Sequence, residues 1–196
     1  MTTTKLWHEQ ALERRIGKGF YVASDISRGE ISTCELEPSK LDIVGLLFGR
    51  LWCGSQLEFL PQLRAFYRNV NSRKIRFEVV FLSTDAAIED YERHTRSMPW
   101  LAVGHGDVRV GALMKEYNVH TSPALVILNR RGESLASDAV DEVMSVLGST
   151  VDDGVAIIMD NFRDEPHIVP VGSRDQVNAC VSLAKAWIRV AKESLM

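Results

Sequence analysis

An almost unbroken apolar run at residues 41–51 passes directly into a segment with helical spacing, and this junction limits the possible folds. The run includes Ile43, Val44, Leu46, Leu47 and Phe48. A strand of this kind must be covered on both faces, as at the centre of a sheet with helices on either side. Beyond residue 53 the apolar residues recur every three or four positions to about residue 70, which predicts a helix. A buried strand therefore feeds straight into a helix.

The rest of the first 148 residues predicts a mixed sheet with helices on both faces, an α/β fold. Strands are expected at residues 30–36 (an edge strand), 76–83, 124–128 and 133–137, and helices at 6–16, 85–95, 108–117 and 138–147. Thr84 or Asp85 is expected to cap the helix at 85–95. The order strand, helix, strand from residue 41 to residue 83 predicts a parallel crossover, and the turn at 129–132 predicts an antiparallel hairpin.

The last part of the chain predicts a strand and a long helix. Residues 155–159 are an apolar run, and Ser173 with Gln176 forms a capping box. The helix then carries an apolar stripe of Val177, Val181, Ala184, Ile188, Ala191 and Leu195. We expect the body of the protein to cover this stripe, while a homodimer through the helix stays the alternative. The predicted division is a domain of residues 1–148 and an extension of residues 149–196 packed on that domain.

Composition and charge argue against several classes of function. A formal net charge of −3 with both signs interspersed provides no basic stripe, so no nucleic acid partner is expected. No stretch of about 18 apolar residues is present, and residues 1–18 lack the apolar block of a secretory signal, so neither a membrane partner nor secretion is expected. A cytoplasmic location is expected, and Arg14, Arg15 and Lys18 near the amino end leave a mitochondrial address open.

Cys53 is the residue to which the sequence assigns chemistry. Three cysteines at wide spacing, Cys34, Cys53 and Cys180, fit reduced thiols better than a disulfide framework. Cys53 stands where the strand becomes a helix, so its sulfur should lie near unpaired N–H groups that favour the thiolate. Arg50 could add a cation if its side chain points toward the sulfur. The competing interpretation is that Cys53 is a small buried apolar residue.

The residues around Cys53 resemble the Trp-Cys-x-x-Cys site of thioredoxin-fold oxidoreductases. The motif here comprises Trp52, Cys53, Gly54, Ser55 and Gln56. Pro61 lies eight residues after Cys53, as does the proline that bends this helix in that family. A proline inside a helix costs about 3 kcal/mol, so the match in position is informative. Residues 98–103 resemble a loop of tryparedoxins and nucleoredoxins, residues 119–123 resemble the approach to their cis-proline, and the resemblance covers about residues 40–135.

The resemblance implies a thioredoxin-like fold and a redox function. By analogy, Trp100, Ser122 and Pro123 would line a substrate groove beside Cys53. The implied substrates are protein disulfides or hydroperoxide-linked redox partners, the implied reductant is trypanothione or glutathione, and no cofactor is implied.

Gln56 departs from the family pattern, because it occupies the position of the second, resolving cysteine. Cys53 must then act as a monothiol that an external thiol resolves, trap partners as mixed disulfides, or belong to a retired site on a binding scaffold. Cys34 or Cys180 could replace the missing thiol only if the fold brings its sulfur close to Cys53.

The histidines and acidic residues predict no metal site. His94, His105 and His120 show no zinc-ligand spacing and are expected to be surface or capping residues. The acidic residues between positions 152 and 165 are expected to lie in a solvated loop.

Overall fold

A seven-stranded mixed sheet forms the centre of the computed structural model, which describes residues 11–26, 28–29, 33–37, 40–72, 77–129 and 131–146. The strands are β1 (Phe20–Val22), β2 (Thr33–Cys34), β3 (Ile43–Gly49), β4 (Phe77–Ser83), β5 (Leu101–Ala102), β6 (Ala124–Asn129) and β7 (Ser134–Ala136). The helices are α1 (residues 11–16), α2 (Ala23–Ile26), α3 (Gly54–Ser72), α4 (Ile88–Thr95), α5 (Val108–Glu116) and α6 (Val140–Val146). The predicted α/β fold, a mixed sheet flanked by helices, is confirmed.

Strand β3 lies in the interior of the sheet, as its apolar sequence predicts. The strand order is β2-β1-β5-β4-β3-β6-β7, with β3 parallel to β4 and antiparallel to β6. All seven residues of β3 are buried. Because alternate residues of a strand face opposite sides, Ile43 and Leu47 enter one core, while Val44, Leu46 and Phe48 enter the other. This double burial fixes the end of β3, from which the chain leaves toward Cys53.

Helix α3 covers the first of these two cores. Its buried face carries Phe59, Leu60, Leu63, Phe66 and Val70 at helical spacing. Pro61 lies within the helix on its exposed side. Proline has no N–H, so the backbone bond that residue 61 would donate to residue 57 is missing.

Helix α4 begins later than predicted, and the expected caps have other partners. Its N-cap is Ala87, which provides no side-chain hydrogen bond. The N–H and hydroxyl of Thr84 both bond to the carbonyl oxygen of Gly49, at 2.9 and 3.2 Å. The carboxylate of Asp85 accepts the N–H of Leu51 at 2.6 Å. The prediction that Thr84 or Asp85 caps this helix is wrong, because Thr84 bonds to the last residue of β3 and Asp85 to the segment that follows it.

Two strands on one side of the sheet, β2 and β1, differ from the prediction. The edge strand expected at residues 30–36 is confirmed in its described part, but β2 has only two residues, and it pairs with a strand β1 that was not predicted. Strand β1 has three residues, which are too few to show an alternation, and its pairing with β5 joins segments far apart in sequence. The predicted strand at 155–159, the predicted helix from residue 173, the acidic residues of positions 152–165 and Cys180 lie outside the described residues.

Candidate active site

Cys53 lies at the amino end of α3, in the N-cap position. Its carbonyl oxygen accepts the N–H of Leu57 at 3.2 Å, which closes the first turn of the helix. The side chain is half-buried at the surface rather than sealed in the core. The strand-to-helix junction therefore presents the thiol where the sequence places it.

Hydrogen bonds around the sulfur favour its ionised form. Partial burial raises the pKa of the Cys53 thiol, but hydrogen bonds from the N–H of Gln56, from Ser122, and from the N–H and hydroxyl of Ser55 outweigh it. The net effect lowers the pKa of Cys53 below its ordinary value. Arg50 is exposed and is not among the groups that lower it, so the suggested cation at this position has no support in the geometry. The helix terminus and its neighbours stabilise the thiolate.

The carbonyl group of Ser122 lies against the sulfur, as the resemblance implies. The Cys53 Sγ is 3.0 Å from the carbonyl oxygen of Ser122, a distance at which the thiol donates its proton to that oxygen. The Ser122–Pro123 peptide bond is cis. The Ser122 hydroxyl is buried and has no hydrogen-bond partner among the described residues. Once the thiol has lost its proton, this hydroxyl can turn to donate to the sulfur.

Trp52 forms an exposed apolar surface next to Cys53. The side chain is 71% exposed, although its position is fixed on one side by α4. Its Nε1 donates to Asp90 at 2.8 Å, and the guanidinium carbon of Arg93 lies 5.6 Å from the ring centroid. An aromatic ring held in this way can contact an incoming partner with little loss of side-chain entropy.

Trp100, by contrast, does not line a groove. Its side chain is 1% exposed and packs in the core under α3, with its ring centroid 5.6 Å from that of Tyr67. The prediction that Trp100 contacts substrate beside Cys53 is therefore wrong for its side chain. Tight packing against Tyr67 is a long-range contact that the local sequence does not reveal.

Gln56 is completely buried, and its amide group is unusual. The side chain is 0% exposed, and neither Nε2 nor Oε1 has a hydrogen-bond partner among the described residues. The amide lies against Gly49, where a Cβ would be 2.5 Å from Nε2 and from Oε1. The position that would hold a resolving thiol is thus occupied by a large polar side chain, for which a glycine on β3 leaves space.

Cys34 cannot resolve a disulfide at Cys53 in this structure. Strand β2, which carries Cys34, lies four strand positions from β3. At a spacing of about 4.8 Å per strand, the separation is roughly 19 Å, whereas a disulfide needs Cα atoms within about 7 Å. Burial and the charges of Glu78 and Asp25 raise the pKa of Cys34, which further lowers its reactivity.

His94 and Asp85 form a hydrogen-bonded pair next to the segment before Cys53 that the sequence did not reveal. His94 was expected to be a surface or capping residue, but it is 2% exposed, and its Nδ1 bonds to Asp85 at 3.0 Å. His105 is half-buried and bonds to the carbonyl oxygen of Asp85, and His120 is exposed.

Within the described ranges, no three His, Cys, Asp or Glu side chains are grouped as metal ligands would be. Nor does this part contain a helix long and apolar enough to cross a membrane.

Comparisons with known proteins agree with the fold. Residues 41–134 match the family described as thioredoxin-like. A probable nucleoredoxin 2 of Oryza sativa subsp. japonica is 36% identical over 115 residues, which are 58% of this chain and 28% of that protein. The chain therefore spans less than a third of that relative's length.

Solved tryparedoxin structures superpose on more than half of this chain. Tryparedoxin II from C. fasciculata aligns with a TM-score of 0.62 and 24% identity, over 73% of this chain and 92% of that chain. A tryparedoxin II complexed with glutathionylspermidine aligns with a TM-score of 0.55 and 28% identity, over 61% and 84%. With its mixed sheet and its helix-terminal cysteine, this chain has a thioredoxin-like fold, and its residues 41–134 are similar to the thioredoxin-like family that includes nucleoredoxin-like and tryparedoxin-like sequences.

Proposed function

We propose that this protein is a thiol-disulfide redox protein that acts on protein disulfides through the single thiol of Cys53. The observation that carries the proposal is the position of this sulfur, half-exposed at the amino end of α3 and 3.0 Å from the Ser122 carbonyl oxygen. The lowered pKa of Cys53 supports it, because the thiolate is the attacking species.

The absence of a thiol at position 56 determines the reaction sequence. The Cys53 thiolate attacks one sulfur of a partner disulfide, forms a mixed disulfide and releases the other partner sulfur as a thiolate. An external thiol then attacks the Cys53 sulfur, which releases the partner in reduced form and leaves Cys53 bound to that external thiol. A second external thiol frees Cys53, so two external thiols are oxidised to one disulfide for each partner disulfide reduced. Glutathione or trypanothione would serve as this external thiol, and a tryparedoxin's complex with glutathionylspermidine supports a thiol of that class.

A second function, binding without turnover, is favoured by Gln56 and Trp52. The buried amide at position 56 prevents the internal resolving step, while the exposed indole of Trp52 remains beside Cys53 as a contact surface. Such a protein would bind disulfide-containing partners at the surface beside Cys53 and Trp52 without reducing them. A long-lived mixed disulfide at Cys53 is the intermediate case.

One comparison of variants separates these functions. Insulin disulfide reduction is measured with glutathione at several concentrations for the natural chain, Cys53→Ser and Gln56→Cys. We expect the natural chain to be active, with a rate that rises with glutathione concentration, and Cys53→Ser to be inactive. Activity confined to Gln56→Cys would contradict the proposal and support the binding function.

A further inference from the structure

Residues 84–90 form hydrogen bonds with three residues that lead to Cys53, from the last residue of β3 to Trp52. Thr84 donates from its N–H and its hydroxyl to the carbonyl oxygen of Gly49. Asp85 Oδ1 accepts the N–H of Leu51 at 2.6 Å. Asp90 accepts the indole N–H of Trp52 at 2.8 Å. The backbone that leads to the thiol is thus held by contacts some 34 residues away in sequence.

Asp85 is the central residue of these contacts, because several further hydrogen bonds hold its own side chain in place. Its Oδ2 accepts the hydroxyl of Ser83 at 2.8 Å and Nδ1 of His94 at 3.0 Å. The Ser83 oxygen in turn accepts the N–H of Asp85 at 3.0 Å. The side chain of Asp85 is 2% exposed and that of His94 is 1% exposed, so little water competes for these bonds.

The hydrogen bonds of this cluster favour the ionised form of Asp85. Burial raises the pKa of Asp85, but hydrogen bonds from His94, from the Leu51 N–H and from Ser83, together with attraction to His94, outweigh it. The pKa of Asp85 therefore lies below its ordinary value. A carboxylate can only accept hydrogen bonds, so Nδ1 of His94 carries the proton that it shares. The His94 ring packs edge-on to Phe81, with the centroids 4.7 Å apart, which fixes the imidazole from the other side.

We propose that Asp85 is a positioning residue for Cys53, and that Ser83 and His94 hold Asp85 in place for that role. The carboxylate fixes the N–H of Leu51 two residues before the thiol, so the turn delivers the sulfur to the amide groups of Ser55 and Gln56. Without this anchor the turn can shift, and the sulfur loses part of the hydrogen bonding that stabilises its thiolate. The inference rests on the proposed function only in taking Cys53 as the reacting group.

The test is the rate at which iodoacetamide alkylates Cys53 as a function of pH, read from the Cys53 peptide by mass spectrometry. In Asp85→Ala we expect the midpoint of this profile to move up toward that of an ordinary thiol, and the rate at neutral pH to fall about threefold or more. Asp85→Asn keeps an oxygen that can accept the Leu51 N–H, so we expect it to restore most of the natural profile. Alkylation needs no disulfide partner, so this test can fail or succeed independently of disulfide reduction.

Asp107→Asn is the matched control, since Asp107 is also a carboxylate with a lowered pKa and a backbone N–H partner, but caps α5. The inference would be overturned if Asp85→Ala folds and keeps the natural alkylation profile of Cys53. It would also be overturned if Asp85→Asn shifts that profile as much as Asp85→Ala does, or if Asp107→Asn causes an equal shift. If Asp85→Ala does not fold, amide hydrogen exchange in the natural chain decides. We expect the Leu51 amide to exchange far more slowly than an exposed amide, and fast exchange would overturn the inference.

Discussion

At the scale of single residues, the site is shaped by what stands at positions 49, 53 and 56. Cys53 provides the thiol, and Gln56 fills the adjoining buried space with an amide that has no described partner. Burial of an unpaired amide costs about 1–3 kcal/mol, so we expect Gln56 to lower the free energy of unfolding relative to an apolar residue of the same size. Gly49 accommodates it, because no other residue leaves room for the amide at that point of β3.

Replacement of Gln56 by methionine tests this reading of the buried amide. Methionine is close to glutamine in size and flexible enough to fill the same space without a polar group. We expect Gln56→Met to raise the free energy of unfolding by about 1 kcal/mol in urea denaturation. The half-buried Gln62 on the same helix is the control, and Gln62→Met should change stability by less than about 0.5 kcal/mol. A loss of stability in Gln56→Met would mean that the amide has partners in solution.

Gly49 gives a second, coupled prediction. A methyl group at this position would lie 2.5 Å from the Gln56 amide, so we expect Gly49→Ala to destabilise the fold by about 1–3 kcal/mol. A shorter side chain at position 56 should relieve the overlap. We therefore expect Gly49→Ala to lower the free energy of unfolding less in a Gln56→Ser background than in the natural chain. Additive losses in urea denaturation would show that the two side chains do not compete for space.

At the scale of elements, much of the architecture follows from local patterns. Strand β3, helix α3 and the β6–β7 hairpin were predicted because their apolar periodicity and turn residues are local signals. The Asp85 cluster was not, because Ser83, Asp85 and His94 look like an ordinary polar strand end and helix until the fold places Leu51 beside them. Strand β1 escaped prediction for the same reason, since it depends on a partner from a distant segment. The sequence left both a core position and a place beside the site open for Trp100, and its contact with Tyr67 decides for the core.

Strand β4 carries a half-buried acid, Glu78, that makes stability depend on pH. Burial raises the pKa of Glu78 to about 7, although bonds from the Val79 N–H and the Tyr67 hydroxyl partly oppose this. The folded state therefore keeps a proton that the unfolded chain loses near pH 4.5. Stability from this group is present below that value and falls as pH rises toward 7, by up to roughly 3 kcal/mol.

Urea denaturation at several pH values checks the role of Glu78. The natural chain should lose stability between about pH 4.5 and 7, and Glu78→Gln, which cannot ionise, should lose much less over the same range. Parallel curves for the two proteins would assign the pH dependence to other groups.

At the scale of the whole molecule, the described domain presents its thiol on one end of the sheet, with Cys34 on a distant edge strand. The division into residues 1–148 and an extension of residues 149–196 stays a prediction, as does the packing of the extension on the domain. Because the apolar stripe of the predicted terminal helix needs a partner, the two alternatives differ in oligomeric state.

Sedimentation of the full chain separates these alternatives. If the stripe packs on its own domain, we expect a monomer over a wide range of concentrations, and Ile188→Glu should lower stability without changing the sedimentation coefficient of the folded protein. A natural dimer that Ile188→Glu converts to monomer would instead establish the homodimer through this helix.

The central claim is that the fold activates the sulfur of Cys53, and the natural chain contains its own reference thiol. Alkylation of Cys53 and Cys34 is followed in the same sample across pH, each through its own peptide. Because the pKa of Cys53 is lowered and that of Cys34 is raised, we expect the Cys53 midpoint below the ordinary thiol value of about 8.5 and the Cys34 midpoint above it. A Cys53 midpoint equal to or higher than that of Cys34 would contradict the account.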